Sequence, residues 1–477
     1  MVGKIEKNAQ LDIFHTPLVQ FIDLNRPICI LARKINWEEV EKDFTVYYSK
    51  IGAPSIPIRK MVGMMILKQM YNQSDEQVME RWLENPYWQY FTGEVNFQKK
   101  LPFDPTDFVH FRKRIGKKGA EKILKLSIEI HGRSNKDRGI KVDTTVQEKN
   151  ITFPTDTKLH KKIIEKCQKI AEDNDIELRQ SYKRTVPKLM VQQRMRKHPK
   201  TRKKAYAAAR KIKTIAGRLV RELQRKLPEE QFVRYKDQLH LYQKVLQQQR
   251  TTKNKIYSLH EPDVQCIAKG KESKPYEFGN KTSVALTTGT GIIVGALSFK
   301  GNPYDGHTLI SQLQQVKRMW GKLPQYAIAD RGYRGKSHVL GVEIITPKKL
   351  PYSASEYRKK ILRKRCRSRS GIEPVISHLK HDYRMARNFL KGTTGDAINT
   401  MLAAAAFNFN KWLMRYTNYF FRFVLNLKRR IFNPEFSFFM CNQKKALFQG
   451  RLITPLIPSQ HASLYFILIY LYVSIYS

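Results

Sequence analysis

The sequence predicts a mixed α/β fold: an all-helical N-terminal domain, a core of strands and helices, and a large basic helical insertion within that core. Three observations predict it. Short runs rich in β-branched residues, Ile140–Val146, Ser283–Thr288 and Gly291–Phe299, alternate with stretches of helical periodicity. Between residues 157 and 260 the pattern is helical and strongly one-signed, with 29 Lys and Arg against 9 Asp and Glu. Residues 1–135 read as helical, with capping chemistry at the expected helix starts.

A chain of 477 residues can bury a sizeable core and hold two to four domains. Its formal net charge of +47, from 88 Lys and Arg against 41 Asp and Glu, calls for a polyanionic partner. Nucleic acid is the first choice and an anionic membrane surface the second. The five cysteines are scattered with no C-x-x-C pair, which argues against a disulfide framework or a structural zinc site and fits a reducing cytosol. The N-terminus shows no apolar segment of the signal-peptide kind. The uncharged run Ser463–Ser477 is shorter than the roughly 20 residues a spanning helix needs, so no stable membrane partner is expected.

In chain order, Ile58–Tyr71 carries apolar residues at helical spacing after Pro54 and Pro57. Asn72–Asp75 breaks it and caps the next helix, and Asp104-Pro105-Thr106 starts a third. Helices of this kind make either a helix-turn-helix DNA reader or a packed bundle that supports its neighbour or dimerises. Ile140–Val146 followed by Asn150–Phe153 reads as a hairpin or paired strands. The basic helical stretch comes next, densest from Arg194 to Lys213, with Arg194, Arg196, Lys197, Arg202, Lys203 and Lys204 the expected DNA contacts. Gly289-Thr-Gly291 then turns one strand into another, a helix spans Leu309–Trp320, and short strands precede Asp330 and run Val342–Thr346. A last core helix covers Ala397–Leu413. Strands ending in acids, then a helix carrying a further acid, match an RNase H-like core over residues 136–415, with the 157–260 insertion placed after its second strand. Residues 416–477 form a tail of no evident role.

The chemistry centres on Asp143, Asp330 and Glu373. On a helix, Arg369, Glu373 and Lys380 share one face, because offsets of four and seven residues nearly close on a period of 3.6. A carboxylate between two cations suits a divalent metal with a phosphodiester above it, and three acids suffice to hold two Mg²⁺ ions for cutting and joining strands. Each acid has an ordinary reading as well. Asp143 is equally a strand-end cap, Asp330 an exit from a strand, and Glu373 a first-turn helix acid. Their order and basic flanks favour the joint reading.

Arg369-x₃-Glu373-x₆-Lys380, with Ser370–Ile376 around it, resembles the signature of bacterial insertion-sequence transposases of the DDE type, in the branch typified by insertion sequence five. Val142–Asp156 is similar to the segment around that family's first Asp, and Ala329–Gly335 to the segment around its second. Gly52–Gly116 resembles the helical domain that precedes catalysis there. The resemblance spans roughly residues 10–415. It implies Mg²⁺-dependent end cleavage and strand transfer, with Mn²⁺ as a substitute and Asp143, Asp330 and Glu373 as metal ligands. It also implies that Arg369 and Lys380 hold end phosphates, that double-stranded DNA of element ends and target is the partner, and that a homodimer joins two ends at the bacterial nucleoid in the cytoplasm. Where the family often carries Tyr three residues before the Arg, this chain has Cys366.

The rival reading is a catalytically decayed, transposase-derived DNA-binding protein. The three acids argue against it; Cys366 and the tail argue for it. Asp305 and His307, in Asn302–His307, either reach the site or form a surface turn, the commoner outcome. His378 reads as packing or a DNA contact. Trp82, Trp88, Tyr90 and Phe91 read as core at their helical spacing, with stacking on DNA as the alternative.

Overall fold

The computed structural model describes residues 1–3, 16–132, 137–249, 251–270, 272, 274–335, 337–348 and 354–431. The chain divides into two units, Met1–Leu413 and Met414–Ser477. Of the second, only the end of a helix running Gly392–Ile431 is described, and the apolar run at the C-terminus lies outside the described residues. Among the described residues no helix is long and apolar enough to cross a membrane.

The N-terminal helices form where the caps place them. The Asp75–Glu84 helix opens on a capping box between Ser74 and Gln77, and Pro105–Glu129 on one between Asp104 and Asp107. The latter is interrupted at Gly116, whose φ of +53° is open to glycine without strain. The Ile58–Met70 helix is apolar nearly all round and buried along most of its length, so it forms the centre of the bundle. Trp82, Trp88 and Phe91 are core residues and Tyr90 packs half-buried against them, which settles their role as packing.

That bundle and the sheet share one continuous apolar core. Asn408 fastens the two together: its amide donates to Ser127 Oγ (3.1 Å) and to the Ile293 carbonyl (2.8 Å), and its Oδ1 accepts from Ile293 N–H. The helices before residue 135 therefore pack as a supporting layer of the α/β body.

Among the described residues seven strands form one mixed sheet: β1 (Gly139–Glu148), β2 (Gln265–Ala268), β3 (Tyr276–Thr287), β4 (Ile293–Phe299), β5 (Tyr326–Ile328), β6 (His338–Val339) and β7 (Val342–Ile345). Their order is β2-β3-β1-β5-β7-β6, with β4 on the other part of β3. The β1, β3 and β4 strands pair antiparallel, whereas β5 runs parallel to β1, and β7 parallel to β5. Ile140, Val142 and Val146 are buried, as period-two alternation requires.

One expectation is corrected. Asn150–Phe153 is not a strand; among the described residues β1 stands alone before the insertion, which therefore follows the first strand. The β1 ladder with β3 ends at Glu148 opposite Gly279, and the Asn150 N–H donates instead to the Asn388 carbonyl (2.9 Å). The partner of β1 comes more than a hundred residues later, beyond the reach of a hairpin reading.

The insertion consists of helices Asp156–Asp173, Thr185–Arg194, Pro199–Lys226 and Glu229–Gln247. It has its own apolar core, with Ile163, Cys167, Ile212, Leu219 and Tyr242 among its buried members. Where it leaves and rejoins the sheet, Lys149 is buried with its Nζ 2.8 Å from Asp396 Oδ1 and 3.2 Å from Glu261 Oε2. The same ammonium donates to the Leu390 carbonyl (2.8 Å) and the Gly392 carbonyl (3.2 Å). Asp396 accepts further from Asn280 and Asn388, both at 2.6 Å.

Candidate active site

The parallel pairing of β1 and β5 decides where the two aspartates lie. Lys141 is level with Ile328, so Asp143, in the middle of β1, lies beside Asp330, which stands just past the carboxyl end of β5. In α/β sheets that end is where ligands gather. Beyond β5 the chain turns through a 3₁₀ segment, Arg331–Tyr333, capped by Asp330, whose Oδ1 accepts the Gly332 N–H at 2.8 Å. Glu373 opens the helix Glu373–His381, which buried Ile372, Val375 and Leu379 press onto the core, so the carboxylate faces outward and is 60% exposed.

One guanidinium connects two of the acids. Arg369 Nη1 lies 3.1 Å from Asp143 Oδ2, and its Nη2 lies 3.2 Å from Glu373 Oε1. Burial pushes the Asp143 carboxyl up to about 6; Arg369 and the Thr144 N–H oppose that rise, while Asp330 and Glu373 add to it.

Asp305, whose commoner reading was a surface turn, belongs to this cluster. Its Oδ1 accepts from Thr144 Oγ1 (2.8 Å), next to Asp143, and from Lys281 Nζ (2.9 Å) on β3. Gly332 permits the approach, because a Cβ there would lie 2.8 Å from Asp305 Oδ2 and 3.0 Å from Asp330 Oδ1. Below them the buried Tyr333 phenol is held protonated by burial and by the charges of Asp305 and Asp143. His307 stays exposed against Tyr304, and His378 pairs with Asp382 (2.6 Å) on the surface.

The single helix expected over Arg369, Glu373 and Lys380 is interrupted, Arg369 standing on the 3₁₀ turn Arg369–Ile372 ahead of the helix that carries the other two; the Lys380 ammonium is engaged by Glu277 Oε1 (3.3 Å) on β3, with Lys269 3.9 Å from the other oxygen. Arg194, Lys197, Arg202, Lys203 and Lys204 are exposed around the start of the Pro199–Lys226 helix; Arg196 is half-buried and donates to Thr157 Oγ1 (3.0 Å). Lys281 also borders Asp305 and the Lys141 ammonium lies beside Gly371, and sequence reasoning passed both over because a lysine within a strand reads as a solvent-facing position.

Oxygen-only donors suit a hard divalent ion, and the raised Asp143 marks where such a charge is favoured. Among the described residues, however, no three His, Cys, Asp or Glu side chains sit close enough to hold one ion. Arg369 occupies the place between Asp143 and Glu373 that a cation would take.

A titration follows from this. The folded Asp143 holds its proton more tightly than an unfolded carboxyl of ordinary value 3.8. Its ionisation therefore withdraws stability as pH rises from about 4 to about 6, by about 3 kcal/mol in all. Millimolar Mg²⁺ is expected to raise the melting temperature by a few degrees at pH 7.5 and not at pH 5. Asp143→Asn should erase that difference; equal shifts at both pH values would remove Asp143 as an ion-binding group.

Residues 16–114 match a family described as a transposase domain (DUF772), and residues 247–409 match a transposase DDE domain. The second match begins where the insertion ends and contains Asp330 and Glu373. Among curated proteins, the uncharacterized protein ORF8 in the nfe locus of Rhizobium meliloti is 38% identical over 192 residues, covering 39% of this chain and 93% of the relative. No solved structure matches the chain.

Proposed function

The chain belongs to the DDE transposases of insertion sequences, and from that premise we propose that it cuts the ends of its own element and joins them to target DNA by in-line phosphoryl transfer. The observation that carries this reading is the placement of Asp143, midway along β1, beside Asp330 just past the end of β5, with Arg369 bridging Asp143 to Glu373. Three antiparallel strands, β1, β3 and β4, followed by β5 and β7 running parallel to β1, support an RNase H-like core. The motif around Glu373 supports membership of the branch typified by insertion sequence five.

Asp143, Asp330 and Glu373 would hold Mg²⁺, or Mn²⁺ in its place, which when bound lowers the pKa of an attacking oxygen and stabilises the charge on the leaving one. The protein's own residues do the rest. Arg369 turns from the carboxylates to a backbone phosphate, where its planar fork suits two oxygens. Asp305, held by Thr144 and Lys281, fixes the loop that carries Asp330. Lys380 and the exposed cations of the insertion position the duplex without reading its sequence. Two ends joined in one complex require at least a dimer. A chain that works on chromosomal DNA acts at the nucleoid.

The test is cleavage of a labelled duplex carrying the element's flanking ends, with Mg²⁺ and then with Mn²⁺. Metal-dependent nicks leaving 3′-hydroxyls, followed by joined products with target DNA, are expected. Tight binding with no cleavage in either metal would replace this reading with that of a binding-only remnant.

A further inference from the structure

A cavity of about 620 Å³ lies in the insertion, away from the acidic cluster, between the start of the Asp156–Asp173 helix, the Pro199–Lys226 helix and the returning segment at Lys255 and Tyr257. Four cations line it: Arg196, Arg210, Lys213 and Lys255. The single acid on its wall, Asp156, is already taken by Lys255, whose Nζ lies 2.8 and 3.1 Å from its two oxygens. Arg210 and Lys213 make no ion pair among the described residues. Arg196 donates one nitrogen to Thr157 Oγ1 and stacks on Tyr206 with 5.4 Å from guanidinium to ring centroid, while its Nε is buried with no partner. Burial holds the His160 imidazole neutral, its value pushed down to about 4 with Asp156 opposing and Lys213 and Lys255 assisting, so it adds no charge of its own.

Three cations without carboxylates around one cavity repel each other unless an anion joins them. The unpartnered Nε is a donor awaiting an acceptor. Tyr206, on the Pro199–Lys226 helix, and Tyr257, on the returning segment, supply flat apolar faces to the cavity. The volume falls in the range that holds a small organic molecule.

The cavity is tied to the catalytic end through one strand pair. Tyr257 packs on Phe278 of β3 (5.4 Å), and the neighbouring Glu277 holds Lys380. Along β1, Asp143 and Glu148 are about 17 Å apart at roughly 3.3 Å per residue, and the chain enters the cavity wall at Pro154–Thr157.

We propose that this cavity is a nucleotide-sized phosphate site, in which Arg196, Arg210 and Lys213 bind a phosphate and Tyr206 or Tyr257 takes the attached nucleoside. Resting on the transposase reading, it anchors the DNA strand several nucleotides from the cut.

The full chain is titrated calorimetrically with thymidine 5′-monophosphate, and separately with the flanking-end duplex over a series of salt concentrations. Arg210→Gln/Lys213→Gln is compared with Lys200→Gln/Lys203→Gln, a pair from the same helix that does not line the cavity. All four residues are exposed, so the fold should survive. The cavity variant should lose at least tenfold in thymidine monophosphate affinity while the control stays within twofold. Both variants lose duplex charge contacts, at a slope change of about 0.9 per phosphate, so the mononucleotide decides. Equal losses in the two variants, or no mononucleotide binding by the wild type, would overturn the site. Duplex binding that persists would then leave the transposase reading standing. Mononucleotide binding lost only in the cavity variant, in a chain that never cuts duplex, would instead uphold the site as one for free nucleotides and sink the transposase reading.

Discussion

Asp330→Asn is expected to slow end cleavage by about a thousandfold or more while duplex binding is kept. The amide retains the oxygen that accepts the Gly332 N–H, so the turn Arg331–Tyr333 should hold its shape. What is lost is a charge. Lewis-acid stabilisation at such a site is worth several kcal/mol, and about 4 kcal/mol corresponds to the stated factor. Removing a negative charge from a face approached by phosphates does not weaken binding. Single-turnover cleavage and gel-shift titration on the same preparation separate the two effects. Wild-type cutting by the variant would exclude Asp330 from the chemistry.

Lys149→Met should be the most damaging single change to the fold, costing about 3–5 kcal/mol. Lys149 is 4% exposed, and its ammonium compensates Asp396 and Glu261, both nearly inaccessible. Removing it leaves two buried carboxylates facing each other, the situation in which breaking an ion pair is most expensive. Burial raises the Asp396 carboxyl, against the pull of Lys149, Asn280 and Asn388, so little further cost is needed to protonate it once Lys149 is gone. The loss in urea midpoint should therefore be largest at neutral pH and smaller near pH 5. A midpoint unchanged at pH 7 would show that the network is solvated.

Local chemistry made much of this legible in the sequence. Ser74 and Asp104 announce their helices because a side-chain oxygen can satisfy a free N–H at one place only. Ile140 and Val142 mark β1 by alternation, and Arg369 finds Glu373 because four residues make nearly one turn. Contacts across the chain were not legible. Nothing near Asp305 reveals that Gly332, in a loop on another strand, leaves room for its carboxylate. Helical spacing says nothing of Glu277, which takes the Lys380 ammonium. The strand expected at Asn150–Phe153 failed for the same reason, since β-branched residues there signal extended backbone and not a neighbour to pair with.

The ion pair between Lys149 and Glu261 has a consequence for ancestry. Lys149, just past β1, and Glu261, just before β2, meet through their side chains, with Nζ and Oε2 3.2 Å apart, and the helices between them carry their own apolar core. Such a block can be gained, lost or exchanged in one genetic event, because a short turn closes the gap it leaves and closure entropy depends only weakly on the length removed. The ladder between β1 and β3 would not register the change. A lineage is therefore free to alter how it grips DNA while the cutting apparatus is inherited intact.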